Sequence, residues 1–312
     1  MSAGRLIYFT TKPMQILDET ETQRLLPMRA LVDALAKAMA EYAAGRITCP
    51  ERLSVPLTAG GVMLSMPASA DDIAIHKLVN VAPGNRSLRL PTIHGLVVAC
   101  DVRTGRMLFQ LDGPALTARR TAAVSMLAIS RLLPKPPGCI LVIGTGKQAA
   151  SHVEAIGEMF PRACVRVRAT RPEEATAFVA RLGKVLPALS VDDGRGHADA
   201  DVVITLTTSK TPVYSEVGKA GRLIVGVGAF TPDAAEIGAA TIANSTIYVD
   251  DPVAARHEAG DLIQAGADWA RVRTLASVLD ADPDAAEAIV FKSVGCAAWD
   301  LAACRVISAA LA

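Results

Sequence analysis

A glycine-rich turn between an apolar run and an amphipathic one is the first place where this sequence can be read as chemistry. The segment PPGCILVIGTGKQAASHVEAIGEMF sets Gly144, Thr145, Gly146, Lys147, Gln148 and Ala149 directly after an apolar strand-like run ending at Ile143. Behind the turn, Ala149, Val153, Ile156 and Met159 or Phe160 recur at helical spacing. The pattern is G-x-G-x-x-A between strand and helix. Gly144 permits a tight turn, Gly146 lets a pyrophosphate approach the backbone, and small Ala149 lets helix and strand pack closely. The helix N-terminus adds free N–H groups and partial positive charge. That chemistry is dinucleotide binding; the bland alternative is a bare structural turn. The next strand-like run ends at Arg168, followed by Ala169, Thr170 and Arg171, where an NAD-type site normally has an acid for the ribose hydroxyls. Two guanidiniums and a hydroxyl suit a 2′-phosphate, so NADPH is expected as the preferred cofactor and NADH as the lesser one. Read plainly, the same arginines are a solvated strand end.

A loop of this kind works only at the carboxyl edge of a parallel sheet, and the second part of the chain supplies the elements for one. After a helix over 117–132 come CILVIG, CVRVRA, DVVITLTT, RLIVGVG, TIYVDD and IVFKSVG, separated by helical stretches. That alternation predicts a doubly wound parallel sheet. The first part differs. A helix over 25–42 precedes strand-like runs at 52–57, 62–66 and 73–81, and GLVVAC and RMLFQL flank a turn as an antiparallel hairpin. The expected organisation is α/β, with 117–294 binding the dinucleotide. Residues 1–116, with a closing helix in 295–312, form an α+β substrate and dimerisation domain.

Composition narrows the function classes. With 32 Lys+Arg against 31 Asp+Glu and 4% aromatics, the chain offers neither a basic field nor stacking platforms for nucleic acid. No apolar run reaches membrane-spanning length, and MSAGRLIYFTTKPMQ shows no apolar core of a secretory signal. A cytoplasmic location is expected. The six cysteines form no C-x-x-C pair and read as reduced thiols, while the five histidines do not cluster, so no metal site is expected.

One set of segments, in this order and spacing, resembles the ornithine cyclodeaminase/mu-crystallin family. It comprises GRIT at Gly45–Thr48, IHKLVN at Ile75–Asn80, LPTIHG at Leu90–Gly95, LTARRTAA at Leu116–Ala123, IGTGKQA, VGAFTPDAAEI at Val227–Ile237 and FKSVG at Phe291–Gly295. The resemblance implies a Rossmann domain, a substrate domain and a homodimer. It implies that Arg46, Lys77 and Arg120 hold a substrate carboxylate through charge-assisted bonds, with Arg119 the competitor to Arg120. Thr92, His94 and Ser293 become candidates for polar contacts near the reacting nitrogen, His94 as a proton relay. Thr207, Val227 and Gly228 join the cofactor-binding set. In cyclodeaminases a G-D-x-P segment carries an acid that meets the substrate amine; here Phe230 stands in its place. That departure points to the ketimine-reducing branch, with a small cyclic imino acid as substrate. The rivals are a cyclodeaminase, an alanine-dehydrogenase-like enzyme and a non-catalytic small-molecule carrier.

Overall fold

The computed structural model describes residues 13–281 and 287–312. Residues 1–12, which carry most of the leader reading, lie outside the described residues.

Two sheets organise the chain. The first has six strands in the order Gln15–Leu17, Met107–Asp112, Ile93–Cys100, Ala74–Val81, Gly61–Ser69 and Leu53–Leu57. Gln15–Leu17 runs parallel to its neighbour and the other pairs are antiparallel. Alternation decides which way its side chains point: Ile75, Lys77 and Val79 are buried while His76 is exposed. The closing helix, Ala297–Leu311, lies across Gly61–Ser69 and Ala74–Val81 and packs against the helix Met28–Ala43.

The second sheet has eight strands, all parallel, in the order 273–274, 246–249, 289–292, 223–226, 202–205, 139–143, 164–168 and 189–191. Its central strands are buried on both faces, which is why they read as unbroken apolar runs rather than as alternation. The order reverses direction at Cys139–Ile143, the switch point where such sheets bind ligands. The fold is α/β, a Rossmann-type parallel sheet joined to a separate mixed sheet.

The joint is the helix Gly113–Leu132. It begins four residues before the expected Thr117, because Asp112 caps it by accepting from the Ala115 amide at 2.7 Å and Pro114 sits in its first turn. It is buried over most of its length and packs on the helix Lys147–Met159. Among the described residues, no helix is long and apolar enough to cross a membrane.

Candidate active site

Three cations gather around the start of the closing helix. Lys77 points inward from the middle of its strand, and its Nζ reaches both carboxylate oxygens of Asp300, at 3.2 and 3.0 Å. Arg120 donates from Nε to the same carboxylate at 2.9 Å, and Asp300 is fully buried. Arg52, at the head of Leu53–Leu57, donates to the Gly295 carbonyl at 2.8 Å and pairs with Glu258 at 2.8 Å. Gly295 has φ +75°, and a Cβ there would lie 2.4 Å from Arg120 Nη1, so only glycine leaves room for the guanidinium. Asp250 fixes this turn by accepting from Ser293 Oγ at 2.8 Å, the Val294 amide at 3.0 Å and the Gly295 amide at 2.9 Å.

Asp300 and Glu258 pair with these three cations, and Asp250, Asp251 and Glu51 lie close by. Burial pulls the Lys77 pKa down to about 8; Asp300 opposes that pull, while Arg120 and Arg52 add to it. Burial also pushes the Glu258 carboxyl up to about 7 against the opposing charge of Arg52. A buried ion cluster adds little net stability over apolar packing. What it provides is fixed cationic donors in a dry setting, suited to a small carboxylate. Beside Arg52 opens a cleft of about 190 Å³, lined in part by Tyr42, Cys49, Met66, Glu258 and Cys296.

The structure does not bring all the expected residues to this cluster. Lys77 and Arg120 meet there. Arg46 is exposed beyond the end of the helix Met28–Ala43, and Arg52, six residues on, takes the third cationic position. Arg119 turns away from the cluster, to the Leu26 carbonyl at 2.7 Å and Glu158 at 2.9 Å. His94 is a correction. Val97 is the register partner of Lys77 and Asn80 that of His94, so the pleat puts His94 on the opposite face, exposed and near Asn85. Thr92 lies at that strand's entrance, its carbonyl accepting from the Ala82 amide. Ser293 is buried and spends its hydroxyl on Asp250. Phe230 is exposed at 44%, on a loop past Leu223–Gly226.

The expected cofactor residues lie along one edge. Register aligns Ile143, Thr205, Gly226, Lys292 and Val249 in a row across the carboxyl ends of the parallel strands. Gly144 has φ +123°, and a Cβ there would meet the Leu206 carbonyl at 2.6 Å. Gly146, extended, caps the helix Lys147–Met159 with nothing within 4 Å of its Cβ position. Ala149 is fully buried, Thr145 half-buried, and Lys147 reaches Glu19 at 3.0 Å. Gln148 Oε1 is buried without a hydrogen-bond partner among the described residues. An open glycine, free helix amides and an unsatisfied polar atom fit a dinucleotide phosphate. At the ribose end Arg168 clasps Asp192 through Nε at 2.8 Å and Nη2 at 2.5 Å, Arg171 pairs with Glu174, and Thr170 is exposed. Thr207 and Gly228 both donate to buried Glu236, with Val227 buried between the strand and Gly228.

The family model for the ornithine cyclodeaminase/mu-crystallin family matches residues 12–311. The chain belongs to this family. It is 57% identical over 301 residues to the Δ1-pyrroline-2-carboxylate/Δ1-piperideine-2-carboxylate reductase of Azospirillum brasilense, covering 96% of this chain and 97% of that protein. A Thermococcus litoralis Δ1-pyrroline-2-carboxylate reductase, solved with NADH and L-proline, superposes with TM-score 0.85 at 25% identity, covering 94% of this chain and 96% of that one. An archaeal alanine dehydrogenase dimer with bound NAD gives TM-score 0.86 at 27% identity over 94% of each chain.

Within this family fold, three residues of the cluster escaped the sequence reading: Arg52, Asp300 and Asp250. Asp300 had a readable signal. It is a lone acid inside the apolar run CAAWDLAAC, where an unpaired charge would be costly and a cationic partner is required.

Proposed function

We propose that this chain reduces cyclic ketimine carboxylates, Δ1-pyrroline-2-carboxylate and Δ1-piperideine-2-carboxylate, to L-proline and L-pipecolate with NAD(P)H. The observation that carries this reading is the convergence of Lys77 and Arg120 on buried Asp300, with Arg52 beside them at Gly295, on a chain with Phe230 in place of the cyclodeaminase acid. The names of the full-length relatives support it. A bound nicotinamide supplies the hydride. The rest falls to this chain. Arg52 and Arg120 present guanidiniums to the substrate carboxylate and fix which face of the C=N bond is offered. Lys77 completes the anchor and, with its pKa near 8, holds a proton at Nζ that it can pass to the imine nitrogen at neutral pH. An apolar ring at 230 offers no partner to a primary ammonium, which disfavours ornithine.

The NADPH preference rests on Arg168 and Arg171. Both already hold carboxylates, Asp192 and Glu174, so a 2′-phosphate must displace them, and the preference is set at a few-fold rather than absolute. The working division keeps 1–116 with 295–312 for substrate and 117–294 for the dinucleotide. We assign a cytoplasmic homodimer, closed by the outer face of the first sheet, where Leu53, Val55 and Leu57 are exposed and His94 lies. The test is nucleotide oxidation by purified protein with both imines, pyruvate plus ammonia, and ornithine as a panel. Turnover of the imines alone is expected; ornithine turnover with both imines untouched would overturn the reading.

A further inference from the structure

Resting on the assignment of a nicotinamide cofactor, the structure points to a device on the same edge of the parallel sheet. We propose that Glu236, Asp261 and Lys292 form a buried anionic hub that stabilises the oxidised, cationic nicotinamide relative to the reduced, neutral one. When the hydride leaves with its electron pair, the ring changes from neutral to positive. A fixed negative charge nearby favours that change.

Lys292 ends the strand Ile289–Lys292, Asp261 lies in the helix Gly260–Gln264, and Glu236 lies on the loop after Leu223–Gly226. Glu236 Oε1 accepts from the Thr207 amide at 2.5 Å and the Thr207 hydroxyl at 2.9 Å. Oε2 accepts from the Gly228 amide at 2.6 Å, the Ala229 amide at 3.1 Å and the Thr205 hydroxyl at 3.1 Å. Five donated bonds favour the ionised form of this carboxylate. They work, with Lys292, against burial and the neighbouring Asp261 charge, which together push its pKa up. Asp261 accepts from the amides of Glu236 and, at 2.8 Å, Ile237 through Oδ1. Lys292 Nζ lies 2.6 Å from Asp261 Oδ2, an ion pair without aligned hydrogen-bond geometry, and both side chains are fully buried.

Two carboxylates and one ammonium leave the hub with a single negative charge. Its geometry admits no side chain between it and the sheet edge. A Cβ on Gly228 would lie 2.0 Å from the Thr207 carbonyl, and one on Gly226 would lie 2.7 Å from Ile237 and 3.3 Å from Lys292. Thr207 and Gly228, the loop residues expected to meet the cofactor, are the ones that bond Glu236 directly. Glu236 is therefore a positioning residue as well as a charge.

A merely structural brace and an electrostatic hub differ in one readout, the ratio of dissociation constants for NAD⁺ and NADH. At an effective dielectric of about 20, removing a unit charge close to the ring shifts an equilibrium by roughly tenfold. For a two-electron couple, tenfold corresponds to about 30 mV. The experiment titrates purified protein with NADH by fluorescence and with NAD⁺ by calorimetry, in the absence of imine. Glu236→Gln is expected to raise Kd(NAD⁺)/Kd(NADH) about tenfold. Lys292→Gln deletes the cation and is expected to lower the same ratio. Equal weakening of both nucleotides, or an unchanged ratio, overturns the hub. If Glu236→Gln does not fold, Lys292→Gln decides alone by the same criterion. Because no imine is present, the substrate reading fails separately: shifted ratios in a protein that reduces no imine would keep the hub and remove the substrate.

Discussion

Asp300→Asn removes one charge from the cationic cluster and preserves its shape. In the wild type Asp300 holds up the pKa of Lys77, which burial pulls to about 8. At 3.0 Å from Nζ and an effective dielectric of about 20, the pair attraction is roughly 5 kcal/mol before relaxation. The asparagine carbonyl still accepts a bond and the cluster relaxes, so a fall of one to two pKa units is the reasoned outcome, to about 6–7. The assay is kcat/KM for imine reduction between pH 6 and 9.5, for wild type and variant with the same substrate. If Lys77 carries the proton, the alkaline limb moves down with it, whereas titration of the imine itself cannot move between the two proteins. Stability follows by linkage. The wild-type Lys77 pKa in the fold lies below its ordinary value of 10.5, so between about pH 8 and 10.5 the unfolded chain binds more protons and stability rises with pH. In Asp300→Asn that rise begins lower, near pH 6–7. The variant's deficit, on the order of 3–5 kcal/mol when both cations are charged, therefore shrinks as pH rises from about 6–7 to about 8 and is constant above that. An unchanged alkaline limb in a folded variant would show that Lys77 is not the titrating group.

Arg52→Ala is expected to lower kcat/KM for the imine by tens- to hundredfold, the loss of one charge-assisted contact of about 2–3 kcal/mol. Arg46→Ala is expected to leave kcat/KM near wild type; the reverse ranking would restore Arg46 to the site. Arg119→Ala should lower the melting temperature, by loss of its bonds to Leu26 and Glu158, with little effect on KM. Arg168→Ala with Arg171→Ala should raise Kd for NADPH a few-fold and leave NADH nearly unchanged; equal effects would make both residues general structural charges. His152 is buried, accepts the Ser125 hydroxyl at 2.9 Å and donates to the Gln148 carbonyl, and burial pulls its pKa down to about 4 from 6.5. Between those values the unfolded chain binds more protons, so about 3 kcal/mol of stability is lost as pH falls from 6.5 to 4. Denaturation of wild type and His152→Gln across that range checks it, since the variant should lack this slope.

The parallel sheet was legible because its strands are buried on both faces and its glycine loop has a fixed mechanical grammar. Strands of two or three residues, such as Arg273–Thr274 and Leu189–Val191, carry too few residues for any period and went unread. The site was harder. Lys77 could be placed because alternation aims it inward with Ile75 and Val79. His94 was misread because its face depends on the register with Ala74–Val81, a non-local pairing. Arg46 and Arg52 are both arginines just outside regular elements, and only the approach of Gly295, more than two hundred residues away, singles out Arg52. The Glu236 hub depends on a strand end, a helix and a loop meeting in one place, which spacing along the chain does not reveal.

Hydride delivery to C2 of a cyclic imino acid is the central claim, and isotope transfer tests it most directly. Purified protein is given nicotinamide nucleotide deuterated at C4 together with Δ1-pyrroline-2-carboxylate, and the product is analysed by mass spectrometry and chiral chromatography. With the transferred face labelled, the account predicts L-proline carrying one deuterium at C2. Unlabelled proline from either labelled face, or no proline at all from a protein that binds both nucleotide and imine, would contradict it.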